Sequence, residues 1–177
     1  TQRIPGVAVA IVLRDSVRVA SGWGYANVEH QVPVTEQTIF QSGSVGKQFT
    51  AAAVLTLVDD GRLRLDDPLL RWVPEAGRQW RGVTIRHLLS HTSGIPTYSE
   101  ELIDYRRDYS EADLVRLVRT LRPEFAPGER FSYSNTGYIL LGIIVRAVSG
   151  EFYGDFLRAR VWQPLGMSTA RVISEHD

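Results

Sequence analysis

Cysteine is absent from the 177 residues, which excludes a disulfide framework, a thiolate nucleophile and a cysteine zinc site. Long apolar runs are absent as well. The longest, Val7 to Leu13, falls far short of the roughly 20 residues that a membrane-spanning helix needs, so no transmembrane segment is expected. The chain also lacks net charge of either sign, with twenty basic residues against twenty acidic ones. Its densest basic cluster is only Arg106-Arg107, and that balance gives no electrostatic footprint for nucleic acid or an anionic membrane surface. Internal repeats and low-complexity stretches are missing too. What remains is ordinary for a globular protein: 44% apolar and 23% charged residues, in a length that fits one domain with a real core.

The apolar pattern changes along the chain. Val7 to Leu13 is apolar on both faces and rich in β-branched residues, which predicts a strand covered on both sides. Arg14-Asp15-Ser16 supplies turn chemistry, and Val17 to Tyr25 returns as a second strand loosened by Gly22 and Gly24. From Ser44 to Asp60 the residues are apolar nearly all round, as in a buried helix, with Gly61 placed to end it. Thr84 is a cap for a short helix through Leu88 and Leu89, and Ser110 with Asp113 forms a capping box for another. Tyr138 to Val148 is a second strongly apolar helix closed by Gly150, and a last helix covers about residues 152–161. Strands followed by helices define an α+β arrangement.

One spacing carries chemistry. In Ser44-Val45-Gly46-Lys47 the serine and lysine are three apart, so on a helix their side chains are neighbours. Ser44 stands at the helix start, where free N–H groups favour developing negative charge. A serine hydroxyl becomes nucleophilic when a neighbouring base takes its proton. A lysine in an otherwise apolar helix costs free energy unless something offsets it, which weighs for chemistry, while a capping serine followed by a surface lysine fits the spacing equally well. A phosphate loop is excluded, because Gln41 and Gln48 occupy the positions that need Gly and Ser or Thr. The Gly-x-Ser-x-Gly elbow fails at Ser42.

Tyr133-Ser134-Asn135 is the second constellation. In an extended loop Tyr133 and Asn135 point the same way, the first able to relay a proton and the second to hydrogen-bond a substrate amide. Taken alone, the triplet also reads as turn chemistry before a helix. His87 and His91 are four apart, yet loop signals begin after His91 and no glutamate follows His87, so both read as hydrogen-bonded structural histidines and not metal ligands. Trp23, Trp72, Trp80 and Trp162 read as core or cleft lining, and Asp66-Asp67 before Pro68 as a turn.

Together these segments resemble the penicillin-recognising serine hydrolases: class C β-lactamases, DD-peptidases and related esterases and D-aminopeptidases. Ser44-Val45-Gly46-Lys47 is similar to that family's Ser-x-x-Lys motif, and Tyr133-Ser134-Asn135 to its Tyr-x-Asn motif. Supporting segments are Phe40-Gln41-Ser42-Gly43, His87 to Gly94, Phe125-Ala126-Pro127-Gly128 and Pro164-Leu165-Gly166-Met167, so the resemblance runs from about Ile4 to Met167. It implies a β-lactamase/transpeptidase-like α+β fold. It also implies hydrolysis of an amide, β-lactam or ester through an acyl-Ser44 enzyme, with Lys47 and Tyr133 handling protons and Asn135 orienting a small-molecule or peptide substrate. The alternative reading is a non-hydrolytic acyl-accepting β-lactam sensor, or an inactive fragment of such an enzyme. No metal or cofactor is implied, and a periplasmic or secreted location follows from the resemblance alone. The family's third motif, Lys-Thr-Gly or His-x-Gly, has no counterpart after Asn135. Residues 1–177 are therefore expected to be a single serine hydrolase domain truncated at its C-terminal side. Its sheet would be incomplete without later strands, and a C-terminal remainder of the same protein would complete it.

Overall fold

The computed structural model describes residues 3–99, 102–104 and 106–172. The chain divides into two compact units, one ending at Gly43 and the other beginning at Ser44.

The first unit is a three-stranded antiparallel sheet in the order β1 (Gly6–Leu13), β2 (Ser16–Asn27), β3 (Val32–Pro33). β1 and β2 pair from Gly6 opposite Gly24 to Leu13 opposite Ser16, with an irregularity after Ile11. Arg14 and Asp15 both take positive φ, the backbone that a two-residue hairpin turn requires. Gly22 is demanded by packing, since a Cβ there would lie 2.5 Å from the Val34 carbonyl oxygen. Val34 is 4% exposed, and its N–H donates to the Gly24 carbonyl.

The expected covering of β1 on both sides is not found. Val7, Val9, Ile11, Val12 and Leu13 are 37–60% exposed, and β1 is an edge strand among the described residues. Trp23, expected in a core or cleft, is 52% exposed. The physical reason is local: a sheet has two faces, and these three strands carry no second layer of their own to bury either one.

The second unit builds its own core from helices α1 (Lys47–Asp59), α2 (Leu69–Trp72), α3 (Ile85–Leu89), α4 (Glu111–Thr120), α5 (Asn135–Ser149) and α6 (Tyr153–Leu157). α1 buries Thr50, Ala53, Val54 and Leu57, and α5 buries Leu140, Leu141, Ile144 and Val145. Trp80, Leu88, Phe156, Leu157 and Trp162 fill the rest. The expected Ser110–Asp113 capping box forms on α4, and Thr84 caps α3 as expected, with His87 completing a second box that the sequence reading did not include. Gly61 and Gly150, both with positive φ, close α1 and α5 as expected.

Three boundaries differ from the sequence reading. A 3₁₀ turn over Gly43–Gly46 precedes α1, so Ser44 lies one turn ahead of the α-helix instead of within it. Asn135 is the first residue of α5, with Ser134 as its cap, and does not belong to an extended loop. After α6 the chain continues as a π-helical turn over Arg158–Trp162. Within the described residues no helix is long and apolar enough to cross a membrane.

Candidate active site

Every polar group of the candidate site comes from the second unit. Ser44 lies in the 3₁₀ turn and Lys47 opens α1, so the two side chains, three residues apart, meet across the junction of the turn and the helix. Lys47 Nζ donates to Ser44 Oγ at 3.3 Å and to Asn135 Oδ1 at 2.7 Å. Tyr133 and Ser44 are joined by a hydrogen bond of 2.7 Å, drawn with the phenol donating to Ser44 Oγ. The four residues singled out in the sequence thus form one connected chain, Tyr133–Ser44–Lys47–Asn135, across separations of up to 89 positions.

The chemistry of each link follows from its partners. Lysine only donates, so the amide atom facing Lys47 is the carbonyl oxygen, which leaves the Asn135 NH₂ free to donate to a substrate. This narrows the sequence reading, in which Asn135 was to hydrogen-bond a substrate amide with no direction assigned. The Lys47 ammonium also lies 4.8 Å from the Tyr133 ring centre and 5.5 Å from that of Tyr138. Hydrogen bonding with Lys47 and then with Ser44 holds the Tyr133 phenol below the ordinary tyrosine range. Partial burial, with Tyr133 nearby, pushes Tyr138 up. Ser44 is exposed and Lys47 half-buried, so the oxygen is reachable while the ammonium is shielded on one side.

Two backbone supports fix the Tyr133–Asn135 segment. The Asn135 N–H donates to Thr97 Oγ1 at 3.0 Å, and the Ser134 N–H to His91 Nδ1 at 3.1 Å. Ser134 Oγ in turn accepts from the Gly137 N–H. His87 caps α3 through Nδ1, which accepts from the Thr84 N–H. Both histidines therefore make the backbone hydrogen bonds expected of structural histidines. Thr97, Tyr138 and the ring of His91 are site neighbours that sequence reasoning did not single out. Only the loop chemistry of residues 91–98 hinted at the first and last.

The fold is the β-lactamase/transpeptidase-like α+β fold: the octameric penicillin-binding protein homologue from Pyrococcus abyssi superposes with a TM-score of 0.83 at 36% identity, over 93% of this chain and 40% of that one. D-amino acid amidase from Ochrobactrum anthropi SV3, in complex with L-phenylalanine, superposes with a TM-score of 0.82 at 32% identity, over 92% of this chain and 45% of that one. A sequence model of the family described as Beta-lactamase matches residues 1–175. The chain belongs to the β-lactamase family. Penicillin-binding protein 4* of Bacillus subtilis (strain 168) is 37% identical over 155 residues, which are 85% of this chain and 34% of that protein. The chain thus spans about a third of the length of that relative.

Proposed function

We propose that this chain carries the catalytic residues of a serine hydrolase that acts through an acyl-Ser44 intermediate on an amide, β-lactam or ester. The observation that supports the reading best is the hydrogen-bonded chain Tyr133–Ser44–Lys47–Asn135.

Ser44 Oγ attacks the substrate carbonyl carbon, and its proton passes to Tyr133. Hydroxyl protons rotate, so the 2.7 Å contact serves a phenolate accepting from Ser44 as well as a phenol donating to it. Tyr133 is the better placed acceptor: it is closer to Ser44 Oγ than Lys47 is, and Lys47 favours its anionic form. Lys47 is then the fixed cation that keeps Tyr133 and Asn135 oriented, and the Asn135 NH₂ donates to the substrate. The tetrahedral intermediate collapses, the leaving amine or alkoxide takes the proton from Tyr133, and the acyl group stays on Ser44. Water then attacks the ester, loses a proton to Tyr133, and Ser44 departs with that proton restored.

Position along the chain supports the N–H of Ser44 as one oxyanion donor. An oxyanion donor of this kind contributes about 3–4 kcal/mol to the transition states of acylation and deacylation alike.

Incubation with a penicillin, followed by intact mass against time, tests the reading. An adduct that forms on Ser44 and then decays supports a hydrolase. An adduct that persists indefinitely supports the acyl-accepting sensor instead. Hydrolysis that survives Ser44→Ala refutes the nucleophile assignment.

A further inference from the structure

His91 is joined to the candidate site in more ways than any single hydrogen bond suggests. Its carbonyl oxygen accepts from the Ser132 N–H at 2.8 Å and its ring Nδ1 from the Ser134 N–H at 3.1 Å. Its ring lies against the rings of Tyr133, at 4.6 Å between centres and 30° between planes, and Tyr138, at 4.9 Å and 29°. Phe131 packs edge-on at 5.8 Å. One residue therefore holds the backbone on both sides of Tyr133 and the face of its ring. His91 does this from a left-handed backbone, φ +57°, which a non-glycine residue adopts at a cost.

We propose that His91, neutral and carrying its proton on Nε2, is the positioning residue that aligns Tyr133 and Asn135 with Ser44, and that its protonation releases that alignment. The argument is one of donor counting. Nδ1 accepts from a backbone N–H, which only the neutral ring can do, because an imidazolium has two donors and no acceptor. Protonation turns the Ser134 contact into donor against donor. It also places a second cation beside Lys47, under the phenol that Lys47 holds. The titratable groups facing the ring are Lys47 from the start of α1, Tyr133 from the segment before α5, and Tyr138 from α5.

The electrostatics agree with the geometry. Partial burial, and then the Lys47 charge, hold His91 below the ordinary histidine value of about 6.5. A group whose folded-state pKa is lowered stays unprotonated while the unfolded chain takes up its proton. The alignment is therefore intact above the ordinary histidine range and is lost as pH falls through the lower folded-state value.

The catalytic consequence rests on the reading of Ser44 as nucleophile; the positioning claim has its own readout. His91→Asn offers Oδ1 where Nδ1 stands, tolerates positive φ and does not titrate, whereas His91→Gly tolerates the backbone but offers no acceptor. Nitrogen-15 NMR of the whole chain follows the His91 ring, the Ser134 amide and the Tyr133 ring against pH. Fluorophosphonate labelling of Ser44, read by intact mass, follows reactivity over the same range. The expected result has three parts: the Ser134 amide titrates with His91; His91→Asn labels within about threefold of wild type but without the acid step that titrates with His91; and His91→Gly labels at least tenfold more slowly. A Ser134 amide that does not move as His91 titrates overturns the inference, as does that acid step unchanged in His91→Asn. Absence of any label on wild-type Ser44, with the Ser134 amide still tracking His91, refutes the nucleophile and leaves the positioning role supported.

Discussion

The two units of this chain treat their apolar residues in opposite ways. Up to Gly43, β-branched side chains on β1 and β2 stand largely in solvent, with Val12 60% and Val17 66% exposed. From Ser44 onward, Leu57, Leu140, Ile144 and Phe156 have no exposed surface at all. Both segments are hydrophobic in sequence, and the difference lies in geometry. Helices pack against one another through their apolar faces, α1 on α5 above all, and so make a core within the unit. Three antiparallel strands satisfy one another's hydrogen bonds but present two faces with nothing of their own to lay across them. All four candidate site residues belong to the unit that closes on itself.

The largest effect expected is chemical and confined to the helical unit. Ser44→Ala should reduce acylation by at least about a thousandfold, measured as the rate of adduct formation by intact mass. A loss of only a few-fold would refute Ser44 as the nucleophile.

The comparison of cores is sharpened by a pair of truncations. Phe156→Ala deletes a fully buried ring and should cost about 3–5 kcal/mol in denaturant unfolding, while Val12→Ala on β1 should stay within about 0.5 kcal/mol. Equal losses at the two sites would mean that β1 is covered in solution. Gly22→Ala should be the costly change in the strand unit, about 1–3 kcal/mol, because its new Cβ meets the Val34 backbone.

Tyr133 supplies a pH test with a definite sign. Its phenol is held below the ordinary value of about 10, so acylation should rise with pH through that lowered value and level off before free tyrosine ionises. By linkage, the unfolded chain retains the phenol proton longer, so between the two values stability also rises with pH relative to Tyr133→Phe. A Tyr133→Phe variant with the wild-type pH–rate profile would move the proton acceptor to Lys47. The smallest effect is expected from the ion pair between Asp60 and Arg160, 2.8 Å long and part-exposed, whose loss should cost no more than about 1 kcal/mol in thermal unfolding.

Much of this was legible in the sequence wherever the cause is local. Ser44 and Lys47 are three residues apart, and any tight helical turn brings them together. Thr84, Ser110, Gly61 and Gly150 mark helix ends through hydrogen bonds and backbone angles that involve only a few adjacent residues. Where the cause is distant, the sequence said less. The exposure of β1 depends on what lies across the sheet, and the pattern of Val7 to Leu13 cannot reveal a missing layer. The two-residue β3 exists because Val32 and Pro33 meet β2, a pairing too short to leave a periodic trace. The place of Asn135 as the first residue of α5 depends on the Ser134 cap and on Thr97, 38 positions away. His91 showed loop chemistry in the sequence, but its stacking beneath Tyr133 arises only when residues 91–94 fold against residues 124–134. There the Gly94, Thr92 and His91 carbonyls accept from Glu124, Gly128 and Ser132.

The central claim is that Ser44 is the nucleophile of a site in which Tyr133 carries the proton and Lys47 holds Tyr133 in place. A fluorophosphonate probe, proteolytic digestion and mapping of the modified peptide test it most directly. The account predicts a single adduct on Ser44, absent in Ser44→Ala and strongly slowed in Tyr133→Phe. An adduct on another residue, or equal labelling of wild type and Ser44→Ala, would contradict it.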